Sequence, residues 1–350
     1  MRILTICLAL PNLCFADPTD WQRFATWQLT HNKNYPTEYA REKAFSAFVY
    51  NDRIISEHNK RHAAFQMGHN EFSDLTRDEW SSRFSFQLVP PALQGGLRND
   101  PDPRLPHQPV PAHNSTFNWA DKGAVTPVQK QGSCGACYAF SVAAALEGAL
   151  SIAIGKPATK LSEEDILECA SPPNVLCAGG DLYKTYQWTQ IKGIANESFY
   201  PYTGVSSACD GKRWGNQQAF NPMGVHDITN ATEDNMLQSL SLQPLSTGID
   251  PIHLMSYKSG VYDDPTCGGN LQHAVTITGW GTDNVSGKSY WLVKNSWGEG
   301  WGEHGYLRIA RTKNAGGICG VQSYVCYPLG VALCTGVSPH RCGNESIVTI

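Results

Sequence analysis

A thiol stands at the mouth of a predicted helix. Residues 131–140 read Gln-Gly-Ser-Cys-Gly-Ala-Cys-Tyr-Ala-Phe. From Cys137 onward the chain is rich in Ala and Leu and lacks proline, which predicts a helix over residues 137–153. A helix N-terminus presents unpaired N–H groups and partial positive charge, and both favour a thiolate. The thiolate is the nucleophilic form, so Cys137 is prepared to attack a carbonyl. The spacing Cys134-x-x-Cys137 also suits a redox dithiol or half of a zinc site. No second CxxC and no suitable histidine pair completes a metal set, so neither metal nor cofactor is expected. Taken alone, His273 in an apolar run reads as a core histidine, and Asn295 as a turn residue.

Residues 134–138, Cys-Gly-Ala-Cys-Tyr, resemble the nucleophile signature of the papain family of cysteine proteases, which includes the cathepsins. Two later segments are similar to the same family, in the family's order. They are Gln272-His273-Ala274-Val275 followed by Gly279-Trp280-Gly281, and Lys294-Asn295-Ser296-Trp297-Gly298 followed by Trp301-Gly302 and Gly305-Tyr306. The resemblance covers nearly the whole chain and implies a cysteine-type endopeptidase acting through an acyl-enzyme. Cys137 would be the nucleophile, held as a thiolate by an imidazolium at His273. Asn295 would orient that ring in place of the aspartate of serine triads. Trp297 would cover the His–Asn hydrogen bond. The Gln131 amide and the Cys137 N–H would form the oxyanion hole. Ala136 and Tyr138 replace a usual serine and tryptophan, so an altered rate is expected rather than lost chemistry. His304 stands where the family commonly has asparagine.

The resemblance also outlines a specificity pocket. Gly179, Gly180, Asp181, Leu182, Gly248 and Leu271 align with its walls, and Tyr324 with its floor. A tyrosine there should make the pocket shallow and favour Val or Leu two residues before the scissile bond. The stretch between Cys177 and Cys209 holds no long insertion to block the cleft, which favours endopeptidase action on proteins and peptides. The alternative is a catalytically silent papain-like protein used for binding or storage, but such proteins usually lack the cysteine or histidine retained here.

The elements that must position these residues follow from the rest of the chain. Its 350 residues are 41% hydrophobic, enough for a substantial core, with net charge −4 and pI about 6.2. No Lys/Arg cluster stands out, which argues against nucleic acid or an anionic membrane as partner; a monomer is expected. Arg2, the apolar run 3–10 and Cys14-Phe15-Ala16 read as a signal peptide over 1–16, and no other segment approaches transmembrane length. A secreted or lysosomal protein is therefore expected, with disulfides permitted. The resemblance pairs Cys134 with Cys177, Cys169 with Cys209 and Cys267 with Cys319. Cys326, Cys334 and Cys342 remain, and a Cys334–Cys342 bridge is expected. Sequons at Asn114, Asn196, Asn230, Asn284 and Asn344 are glycosylation candidates.

Residues 19–80 are polar and helix-prone. Phe48, Asn51, Ile55 and Asn59 share one helical face, and they resemble the later half of the family's propeptide signature. Ala40 and Ala44 depart from its earlier half. Gly68-x-Asn70-x-Phe72-x-Asp74 resembles the second propeptide motif. An inhibitory propeptide is thus expected over 17–107, acting on its own enzyme. Residues 89–113, with seven prolines, read as an exposed linker cut during maturation between 104 and 114. Helix signals, among them Ser162 as cap for 163–169, concentrate in 117–222. Strand-like runs such as 273–279 and 289–294 concentrate in 223–328. The expected fold is α+β: a papain-like catalytic domain over 108–328, with a helical lobe beside a β-barrel-like lobe. A cysteine-bearing tail follows at 329–350.

Overall fold

The computed structural model describes residues 17–61, 64–84, 88, 102, 104–105, 109–113, 115–172, 174–210, 220–314 and 316–333. The leader 1–16, Asn114, Cys334, Cys342, Asn344 and most of the proline-rich run lie outside them.

Helix α1 (Pro18–Thr30) starts where Asp17 caps its first turn, and α2 (Glu38–Asn59) starts where the Thr37 hydroxyl accepts the Ala40 N–H. Phe24 and Trp27 of α1 pack on Phe45 and Phe48 of α2. The shared face of α2 has two uses. Phe48 and Ile55 fill the core, while the Asn51 amide donates to the Ser73 and Leu75 carbonyls at 3.0 and 2.9 Å. Asn59 donates to the Met67 carbonyl and accepts its N–H, both at 2.9 Å. These bonds direct the chain into β1 (Phe65–Met67), which pairs antiparallel with β5 (Tyr257–Tyr262). The N-terminal unit therefore joins the main sheet as an edge strand. Asp74 accepts from Lys33 at 3.0 Å and from the Tyr35 hydroxyl at 2.9 Å, and Asn70 donates to the Met255 carbonyl at 2.7 Å. A reciprocal Thr76/Glu79 cap then starts α3 (Arg77–Ser82).

Beyond the linker, β2 (Phe117–Asn118) precedes the long helix α4 (Cys137–Ile154). Next come α5 (Glu163–Cys169), where the Ser162 hydroxyl accepts the Asp165 N–H, and α6 (Leu182–Lys192). The remaining elements are β3 (Phe220–Thr229), α7 (Glu233–Leu242), β4 (Leu245–Ile249), β6 (His273–Thr282), β7 (Ser289–Lys294), β8 (Tyr306–Ala310) and β9 (Tyr324–Leu333). The strand order is β1-β5-β8-β7-β6-β4-β9-β3, with β2 also on β6; β5 and β8 run parallel. One core lies between the sheet and α7 around Met236, Leu240, Ile277, Trp291 and Ile309. The other surrounds α4 with Phe140, Leu146, Ile166, Leu167 and Tyr186. The architecture is α+β, with helices and sheet largely segregated.

Several boundaries differ from the sequence reading. Phe117 and Asn118 pair with Trp280 and Gly279, so the start of the helical half crosses to the sheet. A Cβ at Gly279 would lie 2.2 Å from the Phe117 carbonyl, and only glycine permits that approach. Strand β3 begins at Phe220, ahead of the expected lobe border, because it pairs with the far end of β9. β9 itself runs to Leu333, so the first residues of the expected tail belong to the sheet. The linker is not wholly exposed. Asp102 is fully buried, binding Arg104 at 2.7 Å and accepting the Tyr327 hydroxyl at 3.1 Å. A charged pair compensates for the segment's lack of apolar side chains. Helix α4, 18 residues long, is apolar and long enough to cross a membrane, contrary to the expectation that no segment beyond the leader approaches that length. It is a core helix, with 78% of that stretch buried.

Trp80 is 1% exposed and stacks edge-on against Trp297 at 5.0 Å, and its indole N–H donates to the Pro251 carbonyl at 3.1 Å. Trp80→Ala should cost about 3–5 kcal/mol of docking between the N-terminal unit and the sheet. Hydrogen exchange on the full chain should show α3 and β1 losing protection while β6 and β7 keep theirs.

Candidate active site

Cys137 is the first residue of α4 and its thiol is free. The preceding Ala136 offers no side-chain cap, so the N–H groups of the first turn are left for other acceptors. Two of them, those of Cys137 and Tyr138, reach the sulfur, as does the Ala274 N–H of β6. The loop before the helix is held on one side by the Cys134–Cys177 bridge, with Cα atoms 4.6 Å apart. The Gly135 N–H donates to the Cys177 carbonyl at 2.8 Å. A Cβ at Gly135 would lie 2.5 Å from that oxygen, so glycine is required there. Cys169–Cys209 and Cys267–Cys319 are also bridged, and Cys326 is a buried free thiol.

His273 opens β6 and is fully buried. Its Nε2 lies 2.8 Å from Asn295 Oδ1. That oxygen also accepts the Ser296 N–H at 2.8 Å, which identifies it as the carbonyl end of the amide. Nε2 must therefore donate, and in the neutral ring the lone pair sits on Nδ1. Nδ1 is buried and has no partner. The Trp297 ring stacks on the imidazole at 4.6 Å with an interplanar angle of 28°, covering the His–Asn bond. Gln131 is held at both ends of its amide: Oε1 accepts the Ser296 hydroxyl at 2.6 Å, and Nε2 donates to the Cys134 carbonyl at 2.8 Å. An NH2 group has two hydrogens, so one remains for a further acceptor.

Gln131, Gly135, Cys137, Cys177, Ala178, Gly179 and Gln272 line one cleft, and the N-terminal unit closes it with Arg83, Phe84 and Leu88. Phe84 packs edge-on against His273 at 5.6 Å. Arg83 donates to the Gly132 carbonyl at 3.3 Å, and the Leu88 N–H to the Leu271 carbonyl at 2.6 Å. Leu88 is buried, and a Cβ at Gly248 would come within 3.1 Å of its methyl and 3.3 Å of Leu271. Leu182, Leu271, Ala274 and Tyr324 share an apolar cluster with Leu88. Gly180 packs so tightly on Tyr138 that an added Cβ would lie 2.6 Å from the ring. Asp181 does not face an open cleft: it is buried, and its Oδ1 caps α6 by accepting the Lys184 N–H at 2.9 Å. Burial pushes the Cys137 thiol up to about 11 and the His273 imidazole down to about 4. Beneath its cover, burial disfavours the charged form of both groups, whereas the expected ion pair belongs to the uncovered enzyme.

The outer candidates lie apart from this site. Asn284 and Asn230 are exposed, while Asn196 is half-buried and its side-chain oxygen accepts from the Ser198 N–H and hydroxyl. Asn114 and Asn344, like the Cys334–Cys342 pairing, fall outside the described residues. His304 has φ +53, the left-handed conformation that asparagine also tolerates, which accounts for either residue at that turn. Among the described residues no His/Cys/Asp/Glu cluster is suited to a metal.

Residues 113–329 match the model of the papain family of cysteine proteases, and residues 24–80 match the cathepsin propeptide inhibitor domain. The chain is 32% identical to a cysteine endopeptidase, Rep1, of Oryza sativa, across 94% of this chain and 90% of that protein. It is 34% identical to cathepsin S of Mus musculus, across 89% and 91%. The crystal structure of the Amb a 11 cysteine protease, a ragweed pollen allergen, in its proform superposes with a TM-score of 0.78 at 31% identity, covering 89% of this chain and 95% of that one. The chain belongs to the papain family of cysteine proteases. It is a cysteine endopeptidase made as a zymogen, with an inhibitory propeptide at its N-terminus.

Sequence reasoning missed three groups at the site. Ser296 lay inside a quoted motif but carried no role, yet its N–H and hydroxyl hold both amides. Phe84 and Leu88 carried no signal, since nothing in a short apolar–polar run says it will lie over an imidazole. The third group is ionic. Glu147 of α4, 1% exposed, accepts from the Thr126 hydroxyl and lies 3.2 Å from Lys160, while Lys294 of β7 donates to the same hydroxyl at 3.0 Å. Charges on elements distant in sequence cannot be paired from sequence alone.

The neutrality of His273 has a pH consequence. Its pKa in the covered cleft, about 4, lies below its ordinary 6.5, so the opened or unfolded state binds the extra proton. This contribution to zymogen stability is present above about pH 6.5 and is lost as pH falls from there toward 4. The buried Cys137 thiol, pushed upward, is protonated in both states over that range. An inactive Cys137→Ser zymogen should show a lower Tm at pH 4 than at pH 7, and His273→Gln should flatten that difference.

Proposed function

We propose that Cys137 and His273 are the nucleophile and base of peptide hydrolysis, with Asn295 and Gln131 as orienting and oxyanion-binding groups. The observation that carries this reading is the unpartnered Nδ1 of a ring whose Nε2 already donates to Asn295, on the residue next to the N–H that reaches the Cys137 sulfur. When the propeptide leaves, water re-enters the cleft and the burial that keeps both groups neutral is relieved. The thiol proton then passes to Nδ1, and the sulfur attacks the scissile carbonyl. The carbonyl oxygen becomes an anion that accepts from the Cys137 N–H and the second hydrogen of Gln131 Nε2. The imidazolium returns its proton to the leaving amine, leaving a thioester. Water, deprotonated by Nδ1, attacks that thioester and frees the thiol and the new carboxyl group.

Gly179, Gly180, Gly248, Leu271 and Tyr324 bound the pocket for the side chain two residues before the cut. The buried Leu88 methyl against Gly248 and Leu271 supports an aliphatic preference, Val or Leu. Leu182 backs the same cluster and Trp297 shields the His–Asn bond. In our reading the leader 1–16 exports the chain, to the outside or to a lysosome-like compartment; three disulfides suit that route. Propeptide 17–107 is removed by a cut between 104 and 114, leaving a monomeric enzyme from about 108 that acts on proteins and peptides and needs neither nucleic acid nor membrane. Exposed Asn230 and Asn284 are the better placed glycan acceptors.

Cys137→Ala should abolish peptide hydrolysis without unfolding the protein; retained turnover overturns the assignment. Gln131→Ala should lower kcat about 10²–10³-fold with KM little changed. A peptide library on the activated enzyme should rank Leu and Val above Phe and Arg at the second position before the cut.

A further inference from the structure

The floor of the pocket is fastened from below. Tyr324 is fully buried; its hydroxyl donates to Asp181 Oδ2 at 3.2 Å, accepts the Tyr183 N–H at 3.0 Å and also meets the Cys326 thiol. Asp181 is itself immobilised. Its Oδ1 accepts the Lys184 N–H at 2.9 Å, and its own N–H donates to Asn174 Oδ1 at 2.9 Å. Asn174 is in turn pinned by donating to the Thr185 hydroxyl at 2.9 Å. At the neighbouring Gly180 an added Cβ would lie 2.5 Å from Asn174 Oδ1, so this loop has no slack.

The register of the sheet puts this clamp under the pocket. Ser246 and Thr247 of β4 face Cys326 and Val325 of β9, and the Thr247 hydroxyl, next to Gly248, donates to the Tyr324 carbonyl at 3.0 Å. Gly248 is the residue over which the Leu88 methyl lies. Tyr324 shares an apolar cluster with Leu88 and Leu271, while the hydroxyl at the far end of its ring bonds the Asp181 carboxylate. The other surroundings of that carboxylate are buried as well: Asp227 and Cys326 are each under 4% exposed. Burial raises the pKa of Asp181 and of Asp227, as expected for carboxyl groups sharing a dry region.

We propose that Asp181 is a specificity-positioning residue: it holds the Tyr324 phenol across the pocket, which sets the depth at an aliphatic side chain and conceals an acidic floor. The chain therefore contains a latent site for a cationic side chain, closed by one aromatic ring. This deepens the pocket reading given above and rests on it.

The test compares kcat/KM on activated enzyme for peptide substrates bearing Val, Leu, Phe or Arg at the second position before the cut. Active sites are first counted with an irreversible epoxide that labels activated thiols. Tyr324→Ala should raise the Arg/Leu ratio at least about tenfold over wild type. Adding Asp181→Asn to Tyr324→Ala should return that ratio to near the wild-type value. An Arg gain that survives Asp181→Asn, or no gain in Tyr324→Ala, overturns the proposal. Tyr324→Phe keeps the ring, and hence the fold, and removes only the hydroxyl. It should lower Leu-over-Phe discrimination several-fold, and unchanged discrimination shows that the clamp positions nothing. These ratios come from one preparation each, so a merely destabilised variant does not move them. Wild-type enzyme that prefers Phe or Arg refutes the underlying pocket reading instead, and a chain that takes no epoxide refutes the protease chemistry.

Discussion

The mouth of α4 meets the first residues of β6, and the site exists because that junction is rigid. Cys137 belongs to the helix and His273 to the strand, so neither element alone contains any chemistry. The Ser141 hydroxyl donates to the Val275 carbonyl at 2.7 Å, and the Ser141 carbonyl accepts the hydroxyls of Ser246 at 3.0 Å and Thr276 at 3.3 Å. One turn into the helix, these bonds fasten it to both β6 and β4. In a buried region such bonds are costly to leave unmade, so the relative position of sulfur and imidazole is strongly specified.

Around that junction the polar groups form one chain of mutual constraint. Ser296 fixes the Asn295 carboxamide, which fixes the donor nitrogen of His273 and leaves the other free. The same serine hydroxyl holds Gln131, whose backbone N–H returns to the Ser296 carbonyl at 2.8 Å. One residue therefore orients both the Asn295 amide beside His273 and the Gln131 amide. Trp297 stacks on the imidazole and is itself packed edge-on by Trp301 at 4.7 Å, whose N–H donates to the Leu254 carbonyl at 3.1 Å.

The propeptide exploits the same physics in reverse. It adds an edge strand to the sheet, inserts Trp80 and Phe84 beside Trp297 and His273, and lays Leu88 over Gly248. Its cover obstructs the cleft and also buries Cys137 and His273, which disfavours their charged forms.

Much of this was legible in the chain. Helix α4 follows from an Ala/Leu run that starts at Cys137, the α5 start follows from Ser162, and the face of α2 follows from residue spacing, because capping and periodicity are local. The motifs around Cys137, His273 and Asn295 carried the family resemblance before any fold was known, and the family is the one the chain belongs to. Other features depend on which segments meet across long sequence distances. Pairing of β2 with β6, extension of β9 to Leu333, burial of Asp102 on Tyr327 and the Glu147–Thr126–Lys294 link all join residues whose local sequence is silent about their partner. The ionisation state of Cys137 and His273 belongs to the same class. Residue type sets where a side chain titrates in water; only tertiary burial shifts those titrations.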